Sequence, residues 1–307
     1  MLLNNSEDKM KNFALIGASG YIAPRHMKAI KETGNKIVCA LDPYDGIGIM
    51  DSFFPQADFF TEPERFDRHL DKLRRKGEQK IDYVSICSPN YLHDAHMRIG
   101  LRNDAHVICE KPLVLNPWNL DALREIEQKT GKKIYTILQL RLHPAIQQIK
   151  KQIEEGPKNK VYDVNLTYIT SRGKWYFISW KGDVQKSGGV ATNIGVHFFD
   201  MLGWIFGDFK GVELEINKPE KAGGKLYFER ANVNWFLSVD EKDLPDEAIV
   251  AQKRTYRKIN IEGQELEFSD GFTDLHTKSY NDILNGGGFG IEETRKSIQI
   301  VSSLRHT

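Results

Sequence analysis

The sequence predicts an α/β chain in two parts: a doubly wound parallel sheet over residues 1–140, then an α+β region over 141–307 with a largely antiparallel open sheet. Three observations carry this prediction. The chain has 307 residues, more than the roughly 100–200 of an ordinary domain. Up to about residue 140, short apolar runs alternate with segments of helical period, as strands buried on both faces of a parallel sheet require. Beyond about residue 160 the runs alternate apolar and polar residues between turn-like breaks, the pattern of antiparallel strands with one wet face.

In chain order, NFALIG is the first strand and 22–33 its helix, and KIVCALD is the second strand, followed by an irregular stretch. A helix at 62–76, the strand DYVSICS, a helix at 91–102, the strand AHVICEKP, a helix at 117–129 and the strand KKIYTILQL complete the first part. A connecting helix at 144–155 and the loop EEGPKNK lead into the second. There VYDVNLTYITS, GVELEINK, GKLYFER, ANVNWFLSVD, TYRKINIEG and ELEFS read as strands. One helix at about 190–206 interrupts them, and two helices close the chain. The first nine residues, MLLNNSEDK, are expected to fray.

Charged residues make up 28% of the chain with a formal net charge of +1, which excludes a global field for nucleic acid or an anionic membrane. The longest apolar runs, such as FALIG and YVSIC, fall far short of the roughly 20 residues that cross a bilayer. With no signal-peptide apolar region at the N-terminus, a cytoplasmic protein is expected. Cys39, Cys87 and Cys109 each lie in an apolar run without metal-ligand spacing and read as core residues; no metal is expected.

Chemistry is concentrated in four stretches. GASGYIA, residues 17–23, follows a strand and opens a helix, the setting of a dinucleotide-binding loop. Gly17 suits the tight turn, Gly20 the close backbone approach and Ala23 the helix packing, with Ser19, Tyr21 and Ile22 lining the same turn. The second strand ends in Asp42, 19 residues after Ala23. An acidic residue there accepts hydrogen bonds from ribose hydroxyls and repels a 2′-phosphate, favouring NAD over NADP. The competing reading is an ordinary strand-to-helix turn with a capping Asp.

In CSPNYLHDAH, Ser88 and Asn90 lead into a helix bearing His93 and His96, and in CEKPL a strand ends at Glu110 and Lys111. A lysine acting as a base near neutral pH must lose about three pKa units, roughly 4 kcal/mol. Burial and a neighbouring positive charge push in that direction. In SGGVATNIGVHFFD, Asn193 and His197 stand four apart on one helix face, and Asp200, three further on, is placed to orient the His197 ring. A solvated Asp200 and an ordinary amphipathic helix are the bland alternatives.

GASGYIAPRH, SICSPNYLH and CEKPL, followed by a mostly antiparallel second part, resemble the Gfo/Idh/MocA family of nicotinamide-dependent oxidoreductases across essentially the whole chain. The resemblance implies a Rossmann domain holding NAD, Lys111 beside the nicotinamide and the substrate hydroxyl, Glu110 at the nicotinamide ribose, and a cis Lys111–Pro112 peptide. The family carries Asp where this chain has Asn193, so proton transfer rests on Lys111 or His197, and Asn193 is limited to hydrogen bonding. ATNIGVHFFDML, YITSRGKWY, SWKGD and FSDGFTDLH resemble the branch of bacterial dehydrogenases that oxidise C3 of UDP-N-acetylglucosaminuronic acid. These feed diacetamido uronic acids of lipopolysaccharide.

That branch implies substrate contacts from Lys111, Tyr168, Arg172, Thr192, Asn193 and His197, with Trp180 and Lys181 on the nicotinamide side. A uronate carboxylate and a diphosphate call for cationic donors, against which Arg172 competes as a solvated loop charge. The resemblance also implies a homotetramer, and in some relatives 2-oxoglutarate reoxidises bound NADH in place. Two other readings stand beside it: a dehydrogenase of another sugar or cyclitol, and a non-catalytic NAD(P)-binding regulator. The pairing of Lys111 with His197 argues against the regulator.

Overall fold

The structure, a computed structural model, describes residues 10–77, 79–265 and 274–306. The first nine residues and the part of ELEFS beyond Glu265 lie outside the described residues. The first sheet is built from β1 (Asn12–Ile16), β2 (Lys36–Leu41), β3 (Asp58–Phe60), β4 (Tyr83–Ile86), β5 (His106–Cys109) and β6 (Ile134–Thr136). Its spatial order is β3-β2-β1-β4-β5-β6, every pairing parallel. The strand order reverses beside β1, and a ligand crevice opens there at the carboxyl ends of the strands.

The strands are short and apolar because both faces are covered: Phe13, Ala14, Leu15 and Ile16 are at most 1% exposed. The covering helices are α1 (Ala23–Glu32), α2 (Ile47–Phe53), α3 (Pro63–Lys76), α4 (His93–Arg102) and α5 (Pro117–Thr130). Their limits follow local chemistry. Pro63 and Pro117 start α3 and α5, and Gly77 and Gly131 end them in the left-handed conformation. The stretch expected to be irregular after β2 holds α2 and β3. Both are too short to print a clear period in the sequence, and β3 is recruited by pairing with β2.

A 3-10 turn (Gln139–Leu142) and α6 (Pro144–Glu155) lead to β7 (Tyr162–Thr170). Then come α7 (Trp175–Ile178), α8 (Val184–Ser187), α9 (Gly189–Asn193) and α10 (Val196–Phe206). The second sheet adds β8 (Phe209–Asn217), β9 (Lys221–Phe228), β10 (Ala231–Ser238), β11 (Thr255–Ile261) and β12 (Gln264–Glu265), with α11 (Asp246–Val250) between β10 and β11. Its order is β12-β11-β7-β10-β9-β8; β7 and β10 are parallel and the other pairings antiparallel. Alternate residues Val164, Leu166, Val233, Trp235 and Leu226 pack with α10 in one core, leaving Asp163, Asn165, Asn232 and Asn234 exposed.

The helix expected over 190–206 is two helices. The Val190 carbonyl accepts from both Ile194 N (3.0 Å) and Gly195 N (3.2 Å), which closes α9 before α10 begins. Gly195 is packed so closely that an added Cβ would lie 2.6 Å from the Phe199 ring and 2.7 Å from Leu237. The closing helices α12 (Leu275–Leu284) and α13 (Ile291–His306) serve both sheets. Tyr280 and Ile283 of α12 join the core beside α1, while Ile300, Val301 and Leu304 of α13 join the core under the second sheet.

Candidate active site

A cleft of roughly 1000 Å³ runs from the β1–α1 loop, past the ends of β4 and β5, to α9, α10 and the inner face of β7 and β11. At its outer end Gly17 has φ +86°. A Cβ there would meet Ser88 N at 2.6 Å and the Cys87 carbonyl carbon at 2.7 Å, so only glycine permits this approach. Asp42 sits at the end of β2, 6% exposed, and accepts from Ser19 N (2.9 Å) and Tyr44 N (2.9 Å) through different oxygens. Each oxygen keeps a lone pair for a further donor. Gly20, Tyr21 and Ile22 line the same end. This backbone cradle, opening α1 beside a buried acid, fits the diphosphate and ribose of a dinucleotide.

Past the β4 end, the imidazole of His93 is buried between two carbonyls, Pro112 O (2.7 Å) and Ser88 O (2.8 Å). It ties the two strand-end loops together rather than facing a ligand freely. His96 lines the cleft and bonds Ser88 Oγ at 2.8 Å; burial lowers its pKa to about 4. Asn90 donates to Ser187 O (2.9 Å) and Asn193 Oδ1 (3.3 Å), linking the first sheet's loop to α8 and α9.

Lys111 and His197 both line the cleft, near enough that the Lys111 charge acts on the His197 ring. The Lys111–Pro112 peptide is cis, and Nζ of Lys111 donates to Asn193 O at 3.0 Å. Burial lowers the Lys111 pKa to about 8, against the pull of Glu110 and with help from Lys181 and Arg172. Burial, followed by the Lys111 charge, holds His197 well below the ordinary imidazole range. His197 is therefore neutral near pH 7 and able to accept a proton. Asn193 also donates to Tyr176 OH at 3.3 Å, so its amide bridges Asn90 and a buried phenol.

Arg172, Lys181 and Tyr168 line the cleft, as does Trp180. Lys181 Nζ lies 5.8 Å from the Trp180 ring centre and 6.0 Å from that of Tyr21, so the loop after α7 reaches across to the dinucleotide turn. Thr192 does not join them: it is fully buried, and its side chain packs where a Cβ on Gly188 would stand, 2.6 Å away. Asp200 does not orient His197. Its carboxylate is taken by Arg141 in a buried two-pronged pair at 2.9 and 2.7 Å. Lys174 is exposed beside Trp175.

Gln139, Arg257, His26 and His276 carry no role in the sequence reading. Arg257 had a usable signal, since it shares alternation with the inward Ile259 and Ile261 in β11 and pairs across to Tyr168. His276 had none, because it arrives from α12 at a separation of 166 residues from Glu110. Among the described residues, six cations, Arg25, Lys111, Arg172, Lys181, Lys186 and Arg257, line the cleft against two carboxylates, Asp42 and Glu110. The cleft is suited to an anionic ligand.

Comparison with known proteins agrees with this geometry. The description "Oxidoreductase family, NAD-binding Rossmann fold" matches residues 11–137, and "Oxidoreductase family, C-terminal alpha/beta domain" matches residues 150–242. The chain is similar to the WlbA (WbpB) dehydrogenase of Thermus thermophilus in complex with NAD and alpha-ketoglutarate: 50% identity, TM-score 0.93, 96% of this chain and 95% of that chain covered. The same enzyme in complex with NAD and UDP-GlcNAcA gives 49% identity, with the same TM-score and coverage. Among curated proteins it is similar to the putative oxidoreductase YteT of Bacillus subtilis (strain 168), at 29% identity over 47% of this chain and 34% of that protein. D-glucoside 3-dehydrogenase of Escherichia coli (strain K12) matches at 27% over 42% of this chain and 36% of that protein. The chain thus spans about a third of the length of these curated relatives. With both halves matched around one glycine-lined, lysine- and histidine-bearing cleft, the chain belongs to the Gfo/Idh/MocA family of oxidoreductases.

Proposed function

We propose that this chain is an NAD-dependent dehydrogenase that oxidises the C3 hydroxyl of UDP-N-acetylglucosaminuronic acid to the 3-keto sugar nucleotide. The observation that carries the reading is the convergence of a desolvated Lys111 and a neutral His197 in a cation-rich cleft, in a chain half identical to an enzyme that binds NAD and UDP-GlcNAcA. Gly17, Ser19, Gly20, Tyr21, Ile22 and Asp42 would hold the adenosine and diphosphate, and Ser88, Asn90, Glu110, Lys111, Trp180 and Lys181 would surround the nicotinamide half, with His93 holding in place the loops that carry Ser88 and Lys111. Bound NAD supplies the hydride acceptor.

Lys111 Nζ and His197 share the C3 hydroxyl, one removing its proton and the other donating a hydrogen bond; a positioned group of this kind contributes roughly 10²–10⁴-fold. Asn193, which cannot titrate, orients the sugar. Arg172 and its cationic neighbours meet the uronate carboxylate and the diphosphate, and Tyr168 supplies an aromatic wall. In this proposal residues 1–140 serve the cofactor and 141–307 the substrate and a homotetrameric contact. The same cations accept 2-oxoglutarate when bound NADH is reoxidised. The product belongs to cytoplasmic synthesis of a diacetamido uronic acid of lipopolysaccharide. Among the described residues no helix is long and apolar enough to cross a membrane.

The test mixes purified protein with NAD and the uronate, with and without 2-oxoglutarate, and follows reduced-nicotinamide absorbance with mass spectrometry of the sugar nucleotide. A product two hydrogens lighter is expected. An unchanged sugar with NAD bound removes the substrate assignment.

A further inference from the structure

Behind Lys111 lies a hydrogen-bonded chain that the proton-transfer scheme does not use. Oε1 of Glu110 receives Nε2 of His26 (2.9 Å) from α1 and Nε2 of His276 (2.9 Å) from α12. Nδ1 of His26 meets Tyr280 OH at 2.7 Å, and that hydroxyl meets Ser85 Oγ at 2.7 Å. The second oxygen of Glu110 accepts from the Lys111 amide at 3.3 Å. His26, Tyr280 and Ser85 are fully buried, and Glu110 and His276 are 7% and 3% exposed.

One assignment makes all of these hydrogen bonds at once. Ser85 donates to Tyr280, Tyr280 to Nδ1 of His26, and both Nε2–H groups donate to the carboxylate. All the dipoles then point at one oxygen, which keeps Glu110 anionic although burial alone would protonate it. The three possible metal-ligand atoms lie within 4.8 Å of one another, but this assignment leaves each of them satisfied by hydrogen bonds.

We infer that His26 and His276 are positioning residues: their paired donors fix the Glu110 carboxylate as an anion beneath Lys111, which makes the closing helix α12 part of the catalytic apparatus. This rests on the proposed role of Lys111 as a proton-transfer group. Burial opposes the Glu110 charge, and the hydrogen bonds from His26 and His276 overcome it, leaving its pKa well below the carboxylate range. Besides the two histidines, Lys111, His93, His197, Tyr280, Cys87 and Cys109 feel this charge. When a donor is removed the buried carboxylate takes up a proton, Lys111 loses its anionic neighbour, and its amine becomes less basic.

The test needs no sugar. Lys111 is labelled with an amine-selective reagent across pH in His276→Leu, His276→Gln and the parent enzyme, and the modified peptide is quantified by mass spectrometry. His276→Leu is expected to lower the Lys111 midpoint by about half a pH unit or more, whereas His276→Gln, which keeps an N–H near the same place, stays close to the parent. In turnover assays the limb of kcat/KM set by Lys111 moves to lower pH in the leucine variant by the same amount as the labelling midpoint, and glutamine returns it toward the parent. An unmoved or raised midpoint, or equal effects of the two variants, overturns the inference. If His276→Leu does not fold, Tyr280→Phe decides: it frees the His26 tautomer, so a lowered midpoint supports the inference and an unmoved one overturns it. Failure of the parent enzyme to oxidise the uronate would count against the proposed substrate and leave the labelling result intact.

Discussion

Replacing Lys111 with methionine is expected to abolish turnover while raising thermal stability at neutral pH. The amine titrates near 10.5 when solvated and at about 8 in the folded chain, because burial disfavours its charge. At about 1.4 kcal/mol per unit, holding the cation in the folded protein costs about 3 kcal/mol wherever both states are protonated, that is, below pH 8. Between pH 8 and 10.5 the unfolded chain binds more protons than the folded one, so the cost shrinks as pH rises, and it is gone above 10.5. Methionine never carries it.

Against this gain stands the hydrogen bond from Nζ to Asn193 O at 3.0 Å, whose loss costs about 1–2 kcal/mol. The net advantage of Lys111→Met at pH 7 is about 1–2 kcal/mol, a rise in melting temperature of about 2–5 °C. By pH 9.5 the two proteins should melt together. Differential scanning calorimetry without cofactor at both pH values measures this, and initial rates should show a loss of roughly 10²–10⁴. A variant less stable than its parent at pH 7, or a difference that does not change with pH, would refute the claim that Lys111 is held desolvated for catalysis.

With Lys111 as the group that removes the proton, kcat/KM should rise with pH through a midpoint near 8 in the free enzyme, and with Lys111 as the donor it should fall through the same midpoint; Lys111→Met should remove either limb from any residual rate. Arg141→Met leaves Asp200 charged and buried without its partner, which should cost about 3–5 kcal/mol in urea denaturation; the double change with Asp200→Leu should recover most of it. Asp42→Asn loses an oxygen that accepts a backbone amide of the loop and removes the charge facing the ribose. Calorimetric titration should show NAD binding weakened about tenfold or more while NADP binding holds or improves, narrowing the preference.

The sequence by itself determined the elements and the cofactor end of the site. Parallel strands buried on both faces must be apolar throughout, so NFALIG, KIVCALD and DYVSICS announce themselves, and Pro63, Gly77, Pro117 and Gly131 mark helix ends by backbone chemistry that acts locally. Gly17 and Asp42 were legible for the same reason: a left-handed turn and a strand-end acid are local facts. Short α2 and β3 escaped because each is formed by what it packs against, and the break at Gly195 escaped because periodicity does not register where a helix is interrupted by packing against Phe199 and Leu237. Only the tertiary structure decided partners. It gave Asp200 to Arg141 instead of His197, buried Thr192 out of the cleft, and brought His276 across 166 residues to Glu110. Charge pairing and desolvation depend on distances in space, and along a chain folded into two sheets those distances bear no fixed relation to sequence separation.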